Sequence, residues 1–211
     1  MHTPSDAAFW DARYASDDYA YGTEPNAFLA SVAGTFPRGS RVLVPADGEG
    51  RNGVWLAEHG FDVTTVDMSR AGCDKARSLA ARRGVSPTII CADLTTWSWP
   101  VGTMDAVAAI FLHLSPALRA PLHAKMRDAL APGGLIVLEA FEPAHVGLRA
   151  RTPSVGGPAD ASLLYTPAML RGDFAGLIER RCETAVVALR EGAFHDGESA
   201  VVRAVFEVPR R

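Results

Sequence analysis

The chain has 211 residues, of which 48% are hydrophobic and 21% charged, and its formal net charge is -3 at pH 7. This composition is sufficient for the core of one α/β domain, and no change in composition marks a second domain within residues 1–211. The near-neutral charge and the scattered arginines argue against an extended basic surface for nucleic acid, so small molecules are the expected partners.

The cysteines and the N-terminus further limit the class of protein. Cys73, Cys91 and Cys182 are odd in number and include no C-x-x-C pair. This pattern argues against a disulfide framework and a thiolate metal site, so buried thiols and no metal are expected. The N-terminus lacks a basic segment followed by an apolar core, and no apolar run could cross a bilayer. A cytoplasmic monomer or homodimer without a membrane partner is the expectation.

The first 35 residues predict two short helices ahead of the core. Ser5 or Asp6 can cap the first helix, and Pro25 can open the second, whose apolar face includes Phe28 and Leu29. The aromatic residues ahead of Pro25 are Trp10, Tyr14 and Tyr21, together with Phe9 and Tyr19. Their density indicates a helical cover over a site, although the same rings could simply pack the first helix onto the sheet.

Residues 41–67 predict a βαβ unit. A short apolar strand at residues 41–44 is followed by a loop with Gly48 and Gly50, then by a helix that Gly60 ends, and a second strand reaches Asp67. A glycine loop before a helix N-terminus allows a ligand to approach unpaired backbone N–H groups. An acid at the end of the second strand can accept hydrogen bonds from ribose hydroxyls. The unit therefore predicts a cofactor of adenosine type.

The same glycines leave the identity of that cofactor open. Gly48, Gly50 and Gly53 spell G-x-G-x-x-G, and Asp67 lies at the distance expected of a dinucleotide-binding fingerprint. A nicotinamide-dependent oxidoreductase is therefore a competing hypothesis at this point.

The rest of the chain predicts alternating helices and strands. Ser69 caps a helix at residues 70–83, and strands follow at 87–91, 104–111 and 135–141, with a helix at 116–130 between the last two. Residues 143–165 are a long connection rich in glycine and proline, which is typical of a lid loop. After a helix at 166–174, strands at 178–190 and 200–208 are separated by a short turn and must pair antiparallel.

The predicted fold class is therefore α/β. It is a seven-stranded, mostly parallel, Rossmann-like sheet with helices on both faces and a C-terminal antiparallel hairpin. This hairpin is not part of a dinucleotide-binding domain built from two equivalent halves.

Seven segments stand out along the chain, in this order: FWDARY, YGTEP, VPADGEGRN, VTTVD, ADL, HLSP and LAPGGLIVLEAFEP. In their order and spacing they resemble the class I S-adenosylmethionine-dependent methyltransferases, closest to the tellurite-resistance and thiopurine methyltransferase branch. Val44 and Pro45 stand where the family usually has an acid at the end of the first strand. Asp47 is the expected replacement as partner of the cofactor's ammonium group.

The resemblance implies S-adenosylmethionine as cofactor and S-adenosylhomocysteine as product, and it implies roles for particular residues. Asp67 would meet the ribose, Asp93 the adenine amino group, and Arg13 the carboxylate. The remaining expected contacts are Ala46, Gly48 and Gly50 along the cofactor, Met68 and Leu94 at the adenine, Ile110 and Phe111 beside the sulfonium, and Trp10 and Tyr21 in the cover.

Four residues near the mouth of the predicted sheet are candidate bases: His113, Glu139, Tyr165 and His195. Glu139 stands out because a carboxylate inside an apolar strand requires a partner, whereas His113 could equally be a capping or core histidine. His195 lies in a segment similar to the C-terminal turn of tellurite-resistance methyltransferases, in which a histidine faces the substrate. Asp196 replaces the arginine that follows it there. In the predicted lid, Arg149 and Arg151 could attract an anionic acceptor.

Three functions remain in competition on sequence grounds. The favoured one is methyl transfer to a small nucleophile, which could be a thiol, a chalcogen compound or a heteroaromatic thiol. The second is the nicotinamide-dependent oxidoreductase, against which stand the C-terminal hairpin and the absence of a Tyr-x-x-x-Lys pair. The third is a catalytically silent protein that binds the cofactor.

Overall fold

A seven-stranded sheet organises the protein. The computed structural model describes residues 6–210. The strands are β1 (Arg41–Pro45), β2 (Asp62–Asp67), β3 (Thr88–Cys91), β4 (Met104–Ile110), β5 (Leu130–Phe141), β6 (Ile178–Arg190) and β7 (Asp196–Glu207). The helices are α1 (Ala7–Arg13), α2 (Ala27–Ala33), α3 (Arg51–Glu58), α4 (Arg70–Arg83), α5 (Pro116–Ala129), α6 (His145–Arg151) and α7 (Pro167–Asp173).

The strand order is β3-β2-β1-β4-β5-β7-β6. Strands β1 to β5 are parallel, whereas β7 pairs antiparallel with both β5 and β6. The predicted fold class is confirmed, including the C-terminal hairpin.

The central strands are buried on both faces. Leu43 packs into one hydrophobic cluster with Leu122 and Met126 of α5, while its neighbours Val42 and Val44 pack into another with residues of α2 and α3. Successive side chains of a strand point to opposite faces, so an uninterrupted apolar run requires cover on both sides. The helices supply that cover.

Helix caps explain most of the helix boundaries. Ser69 accepts a hydrogen bond from the N–H of Gly72, and Gly84 ends α4 in the left-handed conformation, as predicted. Asp6 caps α1, whereas Ser5 lies outside the described residues. The second helix begins after Asn26, which caps it through the N–H of Leu29, and not at Pro25.

The sequence prediction is wrong in two connecting regions. Residues 143–165 contain α6 and two short 3-10 turns, because His145 and Val155 are buried against the body of the protein. Strand β7 begins at Asp196, and Asp196 pairs with Arg190, so only residues 191–195 form the hairpin turn. A paired edge hairpin tolerates polar residues on its open face, which hides such a strand from an apolar pattern.

Two smaller expectations concern the cysteines and the membrane. Cys73 and Cys182 are buried, but Cys91 is exposed and corrects the expectation of three buried thiols. Among the helices of residues 6–210, none has the length and apolar character needed to span a bilayer.

Candidate functional site

A cavity of about 560 Å³ lies at the carboxyl ends of the parallel strands. Strand order reverses between the neighbours β1 and β4, and in open α/β sheets ligands bind in the crevice at such a point. The loops after β1, β2, β3 and β4 contribute to the cavity, and residues 9–22, 149–163 and 194–195 close its sides. The volume is sufficient for a small-molecule ligand.

Asp47, in the loop after β1, is a buried acid that lines the cavity. Its Oδ2 atom accepts the N–H of Gly53 at 3.0 Å, while its Oδ1 atom is buried without a protein partner. Burial raises the pKa of Asp47 to about 7, against the opposing effect of the Gly53 N–H. A cationic ligand group would therefore stabilise this carboxylate.

Asp67, at the end of β2, is the second acid of the cavity. Its Oδ2 accepts the N–H of Gly48 and its Oδ1 accepts the N–H of Ser69, both at 2.8 Å. Burial raises the pKa of Asp67, and the two backbone N–H groups oppose that rise. Since each carboxylate oxygen has a second lone pair, Asp67 can accept further hydrogen bonds from a pair of hydroxyl groups.

Asp93, after β3, is the third acid. Its Oδ1 accepts the N–H of Thr95 at 2.8 Å, so it stabilises a turn as well as lining the cavity. Met68 and the buried Leu94 line the same region. Strands β1, β2 and β3 thus each have an acid beside the cavity, either at the carboxyl end or within two residues after it.

Two non-glycine residues in the described chain, Ala46 and Phe111, have positive φ values, of 54° and 51°. Both line the cavity, at the ends of the central strands β1 and β4. The N–H of Ala46 donates to Val66 and that of Phe111 to Glu139, each at 2.7 Å, which holds these conformations in place. Such conformations cost about 1–3 kcal/mol and cluster at ligand sites.

The N-terminal segment covers the cavity and contacts the β6–β7 turn. Trp10, Arg13 and Tyr21 line the cavity, as does Ile110 at the end of β4. The Arg13 guanidinium lies 4.0 Å from the centre of the Phe194 ring, and its Nη1 is 3.5 Å from the Tyr21 hydroxyl. The two interpretations of the N-terminal aromatic residues, a cover over the site and packing of the first helix, are therefore compatible, because the same rings line the cavity and pack within the protein.

The two glycines expected along the cofactor, Gly48 and Gly50, are not among the cavity-lining residues. A Cβ at Gly48 would lie 2.6 Å from the Tyr14 hydroxyl, and one at Gly50 would lie 2.6 Å from the Cβ of Ala76. Both residues have positive φ values. They are required for the turn and for close packing within the protein, and their direct contact with a cofactor stays a prediction.

His113 lines the cavity but has no nitrogen available for a substrate. Its Nδ1 lies 2.8 Å from the Leu163 carbonyl, and its Nε2 accepts the N–H of Phe141 at 3.3 Å. Burial lowers the pKa of His113 to about 4, so the ring is neutral at physiological pH. This geometry contradicts its prediction as a base and supports the reading as a core histidine.

Glu139 and Tyr165 lie outside the cavity, which corrects their prediction as catalytic groups. Glu139 is fully buried, forms an ion pair with Arg203, and accepts the Asn26 side-chain N–H at 2.6 Å. The Tyr165 hydroxyl accepts the N–H of Leu114 at 2.8 Å, and burial raises its pKa above the ordinary range. Both side chains stabilise the surrounding structure.

His195 is the predicted base whose position remains suitable. Its ring lines the cavity at 4.6 Å from the centre of Tyr21 and 4.5 Å from that of Phe111. Its Nδ1 is 3.5 Å from the Glu191 Oε2, longer than a hydrogen bond but within ion-pair distance. Burial lowers the pKa of His195, and Glu191 opposes that effect.

Sequence reasoning missed Arg51, the first residue of α3. Its Nη2 pairs with Glu191 at 2.7 Å, while its buried Nη1 has no protein partner, and the side chain lines the cavity. A cation at a helix N-terminus opposes the helix dipole, so its position was a usable signal for an anionic partner. Arg149 of α6 also lines the cavity, and its Nε is buried without a protein partner.

Residues 42–134 match a family model described as a methyltransferase domain. No protein of curated function matches the chain.

Several solved structures share the fold. One, from work on the conversion of a disulfide bond into a thioacetal group in echinomycin biosynthesis, has a TM-score of 0.79 at 19% identity, covering 96% of this chain and 93% of its own. TehB from Haemophilus influenzae has a TM-score of 0.68 at 14% identity, with coverage of 97% and 67%. Magnesium protoporphyrin IX methyltransferase from Synechocystis PCC 6803, solved with bound S-adenosylhomocysteine, has 0.60 at 19% identity, with coverage of 94% and 82%.

At these identities the solved structures establish the common fold, and the family match over residues 42–134 establishes the kind of domain. Residues 42–134 therefore match a methyltransferase domain, and the chain has the fold of S-adenosylmethionine-dependent methyltransferases.

Proposed function

We propose that the cavity binds S-adenosylmethionine through its acids and Arg51, and that the enzyme methylates a small, soft nucleophile such as a thiol, a chalcogen compound or a heteroaromatic thiol. The observation that carries the proposal is a pair of buried, unpartnered polar atoms in one cavity, Asp47 Oδ1 and Arg51 Nη1. A free amino acid end, which carries an ammonium and a carboxylate, would satisfy both atoms.

The remaining cofactor contacts follow the strand ends. Asp67 would accept both ribose hydroxyls, Asp93 the adenine amino group, and Met68 and Leu94 would contact the ring. Arg13 is a second candidate for the carboxylate, but it already contacts Phe194 and Tyr21. Arg51 has the free donor, and we therefore assign the carboxylate chiefly to Arg51.

The acceptor side of the cavity supports a soft nucleophile. Its walls are largely apolar, with contributions from Phe111, Leu112, Leu118, Phe141 and Leu163. When bound, S-adenosylmethionine supplies an electrophilic methyl group on a sulfonium sulfur. The chain has to align the acceptor, exclude water and receive a proton if the acceptor arrives protonated. His195 is the base that we assign to that proton, which passes from the acceptor's S–H to the imidazole as the acceptor sulfur is methylated.

The acceptor in this proposal also carries an anionic group. The four acids that line the cavity, Asp47, Glu49, Asp67 and Asp93, lie at or just after the carboxyl ends of β1, β2 and β3. By contrast, Arg149 lines the cavity from α6 and has an unpartnered Nε. A carboxylate on the acceptor would pair with this guanidinium.

Calorimetry with S-adenosylhomocysteine tests the cofactor assignment. Arg51→Gln should weaken binding by about 10- to 100-fold, because the loss of a hydrogen bond to a charged group typically costs about 1.5–3 kcal/mol. Arg13→Gln should have a smaller effect, and Arg70→Gln, at an exposed position on α4, should have none. Binding of NAD in place of the nucleoside would overturn the proposal and restore the oxidoreductase alternative.

An acceptor panel tests the substrate class. Release of S-adenosylhomocysteine would be followed with thiophenol, 2-mercaptobenzoate, a thiopurine and tellurite. We expect turnover of the thiols, with 2-mercaptobenzoate preferred over thiophenol. Arg149→Gln should abolish that preference, whereas Arg151→Gln, at an exposed position of the same helix, should preserve it. Turnover of tellurite alone would contradict the thiol assignment, and an unchanged preference in Arg149→Gln would contradict the anionic group.

A further inference from the structure

Glu191 is a nearly buried carboxylate in the β6–β7 turn that contacts His195 of the same turn and two other elements. Its Oε2 lies 2.7 Å from Arg51 Nη2 and 3.5 Å from His195 Nδ1, and its Oε1 accepts the Asn26 side-chain N–H at 3.0 Å. Its side chain is 9% exposed. One carboxylate oxygen is therefore shared between the guanidinium assigned to the cofactor and the imidazole assigned to the acceptor.

A buried carboxylate needs nearby donors or positive charge to remain ionised. The contacts of Glu191 with Arg51 and His195 more than offset the effect of its burial. Burial opposes its charge, but the contacts with His195 and Arg51 hold the pKa of Glu191 down to about 2. It is thus ionised throughout the working pH range. Its Oε2 is nevertheless closer to Arg51 than to His195, and catalytic hydrogen bonds in unliganded enzymes are often long and tighten when the ligands bind.

We infer that Glu191 is a positioning residue. It couples Arg51, which we assign to the cofactor carboxylate, to His195, which we assign to the proton of the acceptor. The inference rests on the proposed function. A ligand carboxylate at Arg51 Nη1 would draw the guanidinium toward the cavity and compensate its charge, which leaves Glu191 Oε2 free to approach His195 Nδ1. His195 then becomes a stronger base when the cofactor site is occupied, and its Nε2 is the nitrogen left to take the acceptor's proton.

Other groups also face His195, and they set the background for this coupling. They are Arg51 from α3, Tyr21 from the N-terminal segment, His145 from α6 and His113 from the loop after β4. Arg51 and His145 disfavour the protonated imidazole, and Glu191 favours it. Compensation of Arg51 by a ligand therefore acts in the same direction as a closer Glu191.

The test combines histidine titration by NMR with calorimetry on the 211-residue protein. In the wild type, S-adenosylhomocysteine should raise the pKa of His195. Glu191→Gln should lower the pKa of His195 in the free protein, shrink the ligand-induced rise by more than half and weaken S-adenosylhomocysteine binding about tenfold, within the usual range of coupling between sites. Glu198→Gln, at an exposed position on the same hairpin, should match the wild type in all three.

The outcomes separate this inference from the proposed function. If Glu191→Gln weakens the ligand but leaves His195 unchanged, Glu191 supports only Arg51 and the coupling is refuted. If Glu191→Gln changes the pKa of His195 but leaves the affinity for S-adenosylhomocysteine unchanged, the link to Arg51 is refuted. Failure of the wild type to bind S-adenosylhomocysteine would instead refute the cofactor assignment, while the effect of Glu191 on free His195 would still be measurable. Restoration of both readouts by Glu191→Asp would support a requirement for charge.

Discussion

Asp47 shows how a single residue can be unfavourable for the free protein and useful for a ligand. Its carboxylate is buried beside Asp67, with one oxygen bonded to Gly53 and the other unpartnered. A buried charge of this kind is costly unless an opposite charge compensates it. In our proposal the cofactor's ammonium provides that charge, so the energy lost in the free protein is recovered on binding.

This residue predicts a pH dependence of cofactor affinity. Because the pKa of Asp47 is about 7 in the free protein, and an ammonium group would lower it in the complex, binding below pH 7 must release a proton. Affinity for S-adenosylhomocysteine should therefore fall about tenfold for each pH unit below that value.

The measurement is calorimetry between pH 6 and 8, with Asp47→Asn as the comparison. The variant should bind weakly with little dependence on pH across that interval. It should also have a higher midpoint of thermal unfolding than the wild type at pH 8, because it removes a buried charge. Equal pH slopes for the two proteins would show that another group is responsible.

At the scale of elements, Gly53 determines how closely α3 approaches the sheet. A Cβ at this position would lie 2.3 Å from Thr65 Cγ2 on β2 and 2.6 Å from Asp47 Oδ2. The last glycine of the G-x-G-x-x-G pattern thus allows helix and strand to pack, and it keeps Asp47 hydrogen-bonded to the helix N-terminus. The motif is explained without a dinucleotide.

Gly53→Ala should destabilise the protein by about 1–3 kcal/mol, the usual cost of an added methyl group in a packed core. Urea unfolding would measure the loss. Gly172→Ala in α7 is the matched control, because a Cβ there meets nothing within 4 Å. It should stabilise by about 0.4–1 kcal/mol, since alanine restricts the unfolded chain more than glycine does. Similar losses in both variants would argue against a specific contact at Gly53.

The elements that sequence could predict are those whose signals are local. Helix α4 carries both its cap, Ser69, and its terminating Gly84 within the chain, and β1 is a plain apolar run. Helix α6 was missed because a tertiary contact supports it: the His145 ring stacks on Phe141 at 3.9 Å. Glu139 was misassigned for a related reason. Its partner, Arg203, is 64 residues away and becomes its neighbour only through the β5–β7 register.

At the scale of the whole molecule, a buried polar network joins distant parts of the chain. Arg203 on β7 pairs with Glu139 on β5, and Asn26 at the start of α2 donates to both Glu139 and Glu191. Asn26 also donates its backbone N–H to the Asn52 side chain at 2.9 Å. The network fixes the N-terminal cover and the final hairpin relative to the sheet, which explains why a charged strand residue is retained away from the cavity.

Glu139→Leu should destabilise the protein by about 3–5 kcal/mol, because it leaves the Arg203 charge partly buried and unpaired. Glu139→Leu combined with Arg203→Leu should recover most of this loss, as measured by chemical unfolding. The folded double variant should retain methyl transfer. If the double variant is stable but inactive, Glu139 has a direct role in the chemistry, and its assignment to the buried polar network alone is wrong.

Two segments that are far apart in sequence close the cavity together: the N-terminal segment at residues 9–22 and the β6–β7 turn at residues 191–195. A Cβ at Gly192 would lie 2.5 Å from the backbone nitrogen of Gly22, so the N-terminal segment and the final turn touch backbone to backbone. During translation, residues 191–195 leave the ribosome long after the early strands. A nascent chain can therefore form the loops after β1, β2 and β3, to which we assign the nucleoside, well before it can close the cavity over them. Stable retention of the nucleoside should begin only once the closing hairpin has been synthesised.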